Sequence, residues 1–286
     1  MTKIQAYIAL TRINRPIGVY LVLWPALWAL WLVSEGVPDL YLLFVFVCGA
    51  IFMRSAGCVI NDYADRAFDG HVERTCNRPL VTGVLSSKEA LLLFAVLSLI
   101  AFGLVLTLNS LTVWLSFGAV FLAALYPFMK RHTHWPQAFL GAAFAWAIPM
   151  AFAAVSNEVP WQAWPLFVAT LVWSLIYDTA YAVGDMRDDL KIGVKSTTIL
   201  FGDKLVLWMA VFQLLMLGLL GWIGVLFSLG LPYFISLVVV AAWFSYDLKR
   251  LAQKNADIAF KVFLQNHWIG VIVLVGIAAD FALKTY

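Results

Sequence analysis

Asn61-Asp62-Tyr63-Ala64-Asp65-Arg66-Ala67-Phe68-Asp69 carries three carboxylates at the end of an almost charge-free apolar stretch. On a helix Asp62, Asp65 and Asp69 stand at i, i+3 and i+7, so they share a face and can point at one ligand. Carboxylate oxygens crowded in this way repel one another unless a proton or a hard cation intervenes. Mg2+ suits such a site, because it is bound through few carboxylates and keeps phosphate oxygens in its shell. A second cluster, in residues 177–189, sets Asp178, Tyr181, Asp185 and Asp189 near one helical face. Asp65 with Asp69, and Asp185 with Asp189, are therefore two D-x-x-x-D elements. Each is followed by a basic and polar segment, His-Val-Glu-Arg-Thr-Cys-Asn-Arg-Pro at 71–79 and Lys-Ile-Gly-Val-Lys-Ser-Thr-Thr at 191–198. Acids beside cations suggest a metal-bridged phosphate, with Arg and Lys meeting the charge the metal leaves over.

Two clusters so far apart in sequence need elements that bring them together. Of the 286 residues, 63% are hydrophobic and 12% charged, and the mean hydropathy is +0.89. That profile belongs to an all-α, polytopic membrane protein. The net charge of +3 is small and its basic residues scattered, which excludes nucleic acid as a partner. A hydrocarbon core of about 30 Å takes roughly 20 helical residues to cross. Nine windows of that size are expected, at 17–34, 40–60, 90–108, 111–128, 138–155, 164–184, 205–226, 231–248 and 262–283. Lys3, Arg12 and Arg15 ahead of the first window imitate a signal peptide, but the apolar run is span length and no A-x-A site follows. A retained first helix is expected. Cys48, Cys58 and Cys76 form no CxxC pair and read as reduced packing residues.

Cytoplasmic loops of membrane proteins concentrate Lys and Arg. Here basic residues precede the first window and follow the second, fourth, sixth and eighth, whereas 35–39, 109–110, 156–161 and 228–230 hold none. The pattern puts the N-terminus and both acidic loops in the cytoplasm and the C-terminus outside, with only Lys284 on the outer side. The two long loops, about 61–89 and 185–204, follow the second and sixth windows, which run in the same direction. The chain thus reads as one domain over 1–286, two four-helix halves plus one helix, with both carboxylate sets at one mouth of the bundle. Arg54 is the one basic residue deep inside a window, two helical turns and about 10 Å below Asn61 on the same face. An unpaired charge there costs about 2.5–3.5 kcal/mol on insertion scales, so something anionic should meet it.

The N-D-x-x-D-x-x-x-D from Asn61, the R-T-x-N-R-P from Arg74, and the Y-x-x-x-D-x-x-x-D from Tyr181 followed by K-S-T together resemble the UbiA superfamily of intramembrane prenyltransferases. Arg15-Pro16-Ile17-Gly18 with Leu23-Trp24-Pro25, Tyr126-Pro127 with Lys130-Arg131, and Asp178-Thr179 with Tyr181-Ala182 are similar to its 4-hydroxybenzoate polyprenyltransferases of ubiquinone synthesis. The likeness covers nearly the whole chain. It implies a nine-helix bundle around a central cavity in a bacterial inner membrane, with two Mg2+ ions between the aspartate motifs and a polyprenyl diphosphate. Asn61, Asp65, Asp69, Asp185 and Asp189 then take the metal and diphosphate roles, and Asp62 stands behind them or joins them as a ligand. Arg66, Arg131, Lys191 and Lys195 would stabilise the departing diphosphate. The allylic cation would alkylate the ring ortho to its phenol, in a site that excludes water. Tyr126, Asp178 and Tyr181 enter as substrate-binding residues from the resemblance, and Arg54 is expected to receive the 4-hydroxybenzoate carboxylate.

Plainer explanations stand beside these. An acidic cluster can be a solvated cap balanced by nearby bases, which accounts for one cluster and poorly for two at matched places. Asp178 can be a helix-packing partner, and Tyr126 and Tyr181 packing aromatics. The four histidines form no ligand set, and Pro25 and Pro149 mark kinks. An ion-coupled transporter holds its site near the midplane of inverted repeats, whereas these acids sit at one surface on parallel helices. A CDP-alcohol phosphotransferase signature overlays Asp69, Gly70, Arg74 and Gly83, then fails at Glu73, Ser87 and Leu91. Menaquinone, haem O and chlorophyll prenyltransferases share the general plan and remain alternatives for the acceptor.

Overall fold

The computed structural model describes residues 1–67, 69–71 and 75–284; Arg74 of the R-T-x-N-R-P segment lies outside them, with Phe68, Val72 and Glu73. Among the described residues every regular element is helical. The first half holds α1 (Lys3–Thr11), α2 (Ile17–Val33), α3 (Leu40–Asp65), α4 (Ser87–Val105) and α5 (Ser110–Met129). The second holds α6 (Pro136–Ala145), α7 (Ala147–Ser156), α8 (Ala163–Ala182), α9 (Met186–Ile192), α10 (Thr197–Phe201), α11 (Leu205–Leu226) and α12 (Leu231–Leu251). The pair α13 (Ala256–Gln265) and α14 (His267–Lys284) completes the chain.

Among the described residues, eight helical segments are long and apolar enough to cross a membrane, counting α6 with α7, α10 with α11 and α13 with α14 as continuous segments. The first expected window is occupied by α2, whose 17 residues extend about 25 Å at 1.5 Å per residue, less than the 30 Å or so of a hydrocarbon core. By length and composition eight segments qualify among the described residues, and α2 stands beside them as a shorter apolar helix in the place of the first expected window. A further helix, α1, precedes the first expected window. It is set off by a capping box, in which Thr2 accepts from the Gln5 amide while the Gln5 side chain accepts from the Thr2 amide. Ser86 and Glu89 form the same device at the start of α4.

Two expected spans are broken, each for a local reason. Pro149 lacks an amide hydrogen and its ring crowds the carbonyl four residues back, and the helix divides at Trp146 into α6 and α7. The fully buried Asn266 divides α13 from α14, its side chain donating to the Val262 carbonyl at 2.9 Å and accepting from the Trp173 indole at 3.2 Å. Because α7 can diverge from α6, it packs against α2, and α14 packs against both α2 and α12. The result is a closed ring of helices, with α8 the most buried of the membrane-length helices. Its core runs through Trp28, Ile148, Phe152, Trp173, Tyr177 and Tyr233. The ring is left open where α3, α5 and α8 end, and both acidic loops emerge there.

Candidate active site

A cavity of about 960 Å³ occupies that open end. From the first half it is lined by Arg12, Arg15, Arg54, Asn61, Asp62, Asp65, Asp69 and Arg78, and from the α5–α6 region by Tyr126, Lys130 and Gln137. The second half contributes Tyr177, Asp178, Tyr181, Asp185, Asp189 and Lys195. The two D-x-x-x-D elements, 120 residues apart in sequence, therefore face one space. One flank is apolar, built by Ile17 and Leu21 of α2 and by Phe260, Phe263 and Leu264 of α13.

The three acids of the first cluster are all ion-paired, and Asp62 and Asp69 share Arg78. Asp62, 2% exposed, accepts from Arg12 at 2.7 Å and meets Arg78 at 3.0 Å. Both of its neighbours are arginines, so Asp62 is a tie between α1, α3 and the first loop. Asp65 is paired through Oδ2 with Lys130 at 2.5 Å and with the Asn61 amide at 3.3 Å. Its Oδ1 is buried and has no hydrogen-bond partner, which leaves an acceptor for a cation to satisfy. Asp69 lies past the end of α3 in a 3-10 turn, Asp69–His71. It accepts from Arg78 at 2.6 Å, and Thr75 closes the turn on its carbonyl at 2.8 Å. Burial raises the Asp69 carboxyl above the ordinary carboxylate value, against the lowering pull of Arg78, with Asp65 and Asp62 adding to the rise.

Among the described residues, no three His, Cys, Asp or Glu side chains converge closely enough to hold a metal ion by themselves. The physical reason is visible in the ion pairs: Lys130 and Arg78 already balance Asp65 and Asp69. The donor set fits Mg2+ in another way. Carboxylates of both halves face one space, an oxygen of Asp65 is unsatisfied, and Mg2+ draws much of its shell from phosphate and water.

The second loop is held to the cavity wall by the K-S-T segment. The Thr179 and Thr197 hydroxyls meet at 2.6 Å, Thr198 donates to the Thr179 carbonyl at 2.9 Å, and Gln137 of α6 accepts from the Thr197 amide at 3.2 Å. The Lys195 amide donates to the Lys130 carbonyl at 2.9 Å. Those residues fasten α9 and α10 to α5, α6 and α8, which sets where Asp185 and Asp189 stand.

Arg54 projects from the middle of α3 at the deep end of the cavity. It donates through Nη1 to the Cys58 sulfur at 2.7 Å, and its guanidinium lies 5.8 Å from the centroid of the Phe144 ring. Its Nε is buried without a hydrogen-bond partner. Arg54, Tyr126 and Phe144 also line a second, apolar cavity of about 130 Å³ that extends between α3, α4 and α5.

Of the residues expected from sequence, Arg54, Asn61, Asp62, Asp65, Asp69, Tyr126, Asp178, Tyr181, Asp185, Asp189 and Lys195 line the cavity. Three expected cations are placed elsewhere. Arg66 is exposed, donating to the Tyr63 carbonyl and stacking 4.1 Å from the Tyr63 ring. Lys191 pairs with Asp188 on the surface at 3.0 Å, and Arg131 donates to the Ala64 carbonyl at the end of α3. Lys130, Arg78 and Arg12 stand in the cavity instead. Lys130 and Arg131 are adjacent, and only the helical phase at the end of α5 tells which faces inward. Arg78 sat in the R-T-x-N-R-P segment as a signal not assigned a role, and nothing marked Arg12 beyond its charge.

The sequence pattern of the UbiA prenyltransferase family matches residues 22–270. The chain is 61% identical over 278 residues to the 4-hydroxybenzoate octaprenyltransferase of Hydrogenovibrio crunogenus, covering 97% of this chain and 98% of that one. It is 55% identical to the enzyme of the same name from Hahella chejuensis, covering 99% and 94%. Among solved structures, a UbiA homolog from Aeropyrum pernix K1 superposes with a TM-score of 0.81 at 23% identity, covering 94% of this chain and 98% of that one. A UbiA homolog from Archaeoglobus fulgidus bound to GPP and Mg2+ superposes with a TM-score of 0.75 at 19% identity, covering 98% and 100%.

Proposed function

The chain belongs to the UbiA prenyltransferase family, and on that premise we propose how its cavity performs the family's reaction. The protein is an integral membrane enzyme that transfers a polyprenyl group from polyprenyl diphosphate to the ring of 4-hydroxybenzoate, replacing the hydrogen ortho to the hydroxyl, and releases diphosphate and that ring proton. The observation that carries the mechanism is a single cavity faced by both aspartate elements, by Lys130, Arg78 and Lys195, and at its deep end by Arg54.

In this reading Asp65, Asp69, Asp185 and Asp189, with Asn61, hold the diphosphate through two Mg2+ ions. Mg2+ supplies Lewis-acid neutralisation of charge as the C–O bond to diphosphate breaks. Lys130, Arg78 and Lys195 bind the remaining diphosphate oxygens, and their charge counts most once the leaving group carries its full negative charge. Asp62 holds Arg78 and Arg12 in place. Arg54 takes the acceptor carboxylate, which turns the phenol ring toward the mouth of the cavity, where the allylic carbon is released. Orientation of this kind replaces a bimolecular encounter with a fixed approach. Tyr126, Tyr181 and Asp178 line the space the ring crosses, and the apolar flank of Ile17, Leu21, Phe260, Phe263 and Leu264 suits the prenyl chain. The N-terminus and both loops face the cytoplasm of a bacterial inner membrane, and the C-terminus faces outward; the distribution of Lys and Arg supports this.

The test is a membrane assay with Mg2+, octaprenyl diphosphate and labelled 4-hydroxybenzoate. Prenylated product that disappears on EDTA treatment is expected. Product formed only with another aromatic acceptor would overturn the substrate, and full activity in EDTA would overturn the metal.

A further inference from the structure

The guanidinium of Arg54 lies against α2 at Gly18. A Cβ built on Gly18 would collide with Nε of Arg54, and would stand 2.6 Å from Nη2 and 2.7 Å from Cζ. Gly18 has an ordinary helical backbone, so nothing about its own conformation calls for glycine. It stands in the first turn of α2, as its second residue. The three atoms nearest to its missing side chain all belong to the head of Arg54. The same guanidinium is bounded on its other sides by Cys58 and by the Phe144 ring.

We propose that Gly18 is a positioning residue for the aromatic acceptor: by letting the Arg54 fork rest against α2, it sets the depth at which a carboxylate is received. The inference rests on the reading that Arg54 binds that carboxylate. A methyl group at position 18 would meet the far end of a flexible side chain and not backbone, so it displaces the guanidinium by about an ångström and leaves α2 packed. A carboxylate held by a planar fork is sensitive to a shift of that size, whereas the diphosphate end of the cavity is untouched.

Four variants, Gly18→Ala, Arg54→Lys, their double and Arg54→Ala, test this in proteoliposomes, with Mg2+, octaprenyl diphosphate and 4-hydroxybenzoate. Gly18→Ala should raise the KM for 4-hydroxybenzoate about tenfold or more, with the KM for octaprenyl diphosphate within about twofold of the parent. Equilibrium dialysis of labelled 4-hydroxybenzoate should show the same loss without turnover. In an Arg54→Lys background, whose slender ammonium lacks the fork, adding Gly18→Ala should cost less than about twofold, the coupling expected of direct neighbours. An equal cost in both backgrounds would overturn the inference and assign Gly18 to helix packing. An unchanged acceptor KM in Gly18→Ala alongside a raised one in Arg54→Ala would also overturn it, while sparing the carboxylate role of Arg54. An unchanged acceptor KM in Arg54→Ala would remove that role and the inference together. If Gly18→Ala fails to fold, rescue by Arg54→Lys supports the contact, and failure of the double variant as well overturns it.

Discussion

The acids of one short motif differ in their surroundings, although Asp62 and Asp69 share Arg78. Asp62 is enclosed by Arg12 and Arg78, Asp65 by Lys130, and Asp69 by Arg78. Removing one partner of a buried ion pair strands the other, at about 3–5 kcal/mol. Asp62→Asn should therefore lower the thermal unfolding temperature and the activity together, which a melting curve beside an assay will show. In the proposed metal site Lys130, ion-paired with Asp65, would compete with a cation for it. Lys130→Ala is expected to tighten Mn2+ binding to the substrate-free protein, measured by electron paramagnetic resonance, while weakening the diphosphate substrate. An unchanged Mn2+ affinity would count against that competition. Asp69 adds a pH dependence whose sign follows from burial. Its carboxyl is raised, so the folded protein keeps that proton to higher pH than an exposed aspartate, and a metal must displace it. The Mg2+ concentration for half-maximal activity should climb as the pH falls from neutral toward the ordinary carboxylate range. A flat profile would remove Asp69 from the metal set.

At the scale of elements, α3 spans 26 residues and carries Arg54, Asn61, Asp62 and Asp65 on one rigid rod, so the ends proposed for the acceptor and the diphosphate are spaced by helical rise alone. That spacing was legible in the sequence. The broken spans were only half legible: Pro149 announced a kink, whereas Asn266 became a break through its burial against Trp173. The caps are quieter parts of the same design. Asn109 accepts from the Thr112 amide at 3.0 Å at the start of α5 and donates to the Ala153 carbonyl near the end of α7 at 2.6 Å. Asn109→Ala should cost about 1–2 kcal/mol of stability, seen as a lower unfolding temperature, with kcat unchanged because the contact lies far from the cavity.

For the molecule as a whole, the arrangement of basic loops makes a prediction about sidedness. A cysteine at Lys191 should react with a membrane-impermeant thiol reagent only from the cytoplasmic face, and one at Leu283, which is 67% exposed, only from the outer face. Labelling of both from the same side would overturn the orientation. The closed ring of helices also explains how two loops 120 residues apart face one cavity: the second and sixth windows run parallel, so both deliver their acids to one end.

The amino-acid sequence by itself determined the all-helical membrane class, the shared end of the two acidic loops and the family resemblance, because these rest on hydropathy, charge distribution and i, i+4 spacing. Only the tertiary structure decided which cations face the cavity. Neighbours such as Lys130 and Arg131, or Arg66 and Asp65, differ by about 100° of helical phase at a helix end, and a one-residue difference in where the helix stops sends them to opposite sides. It also decided that Asp62 is spent on arginines, and that a glycine on α2 makes room for the guanidinium of Arg54 on α3. Such contacts join residues 16 or more apart in sequence, and no local pattern records them.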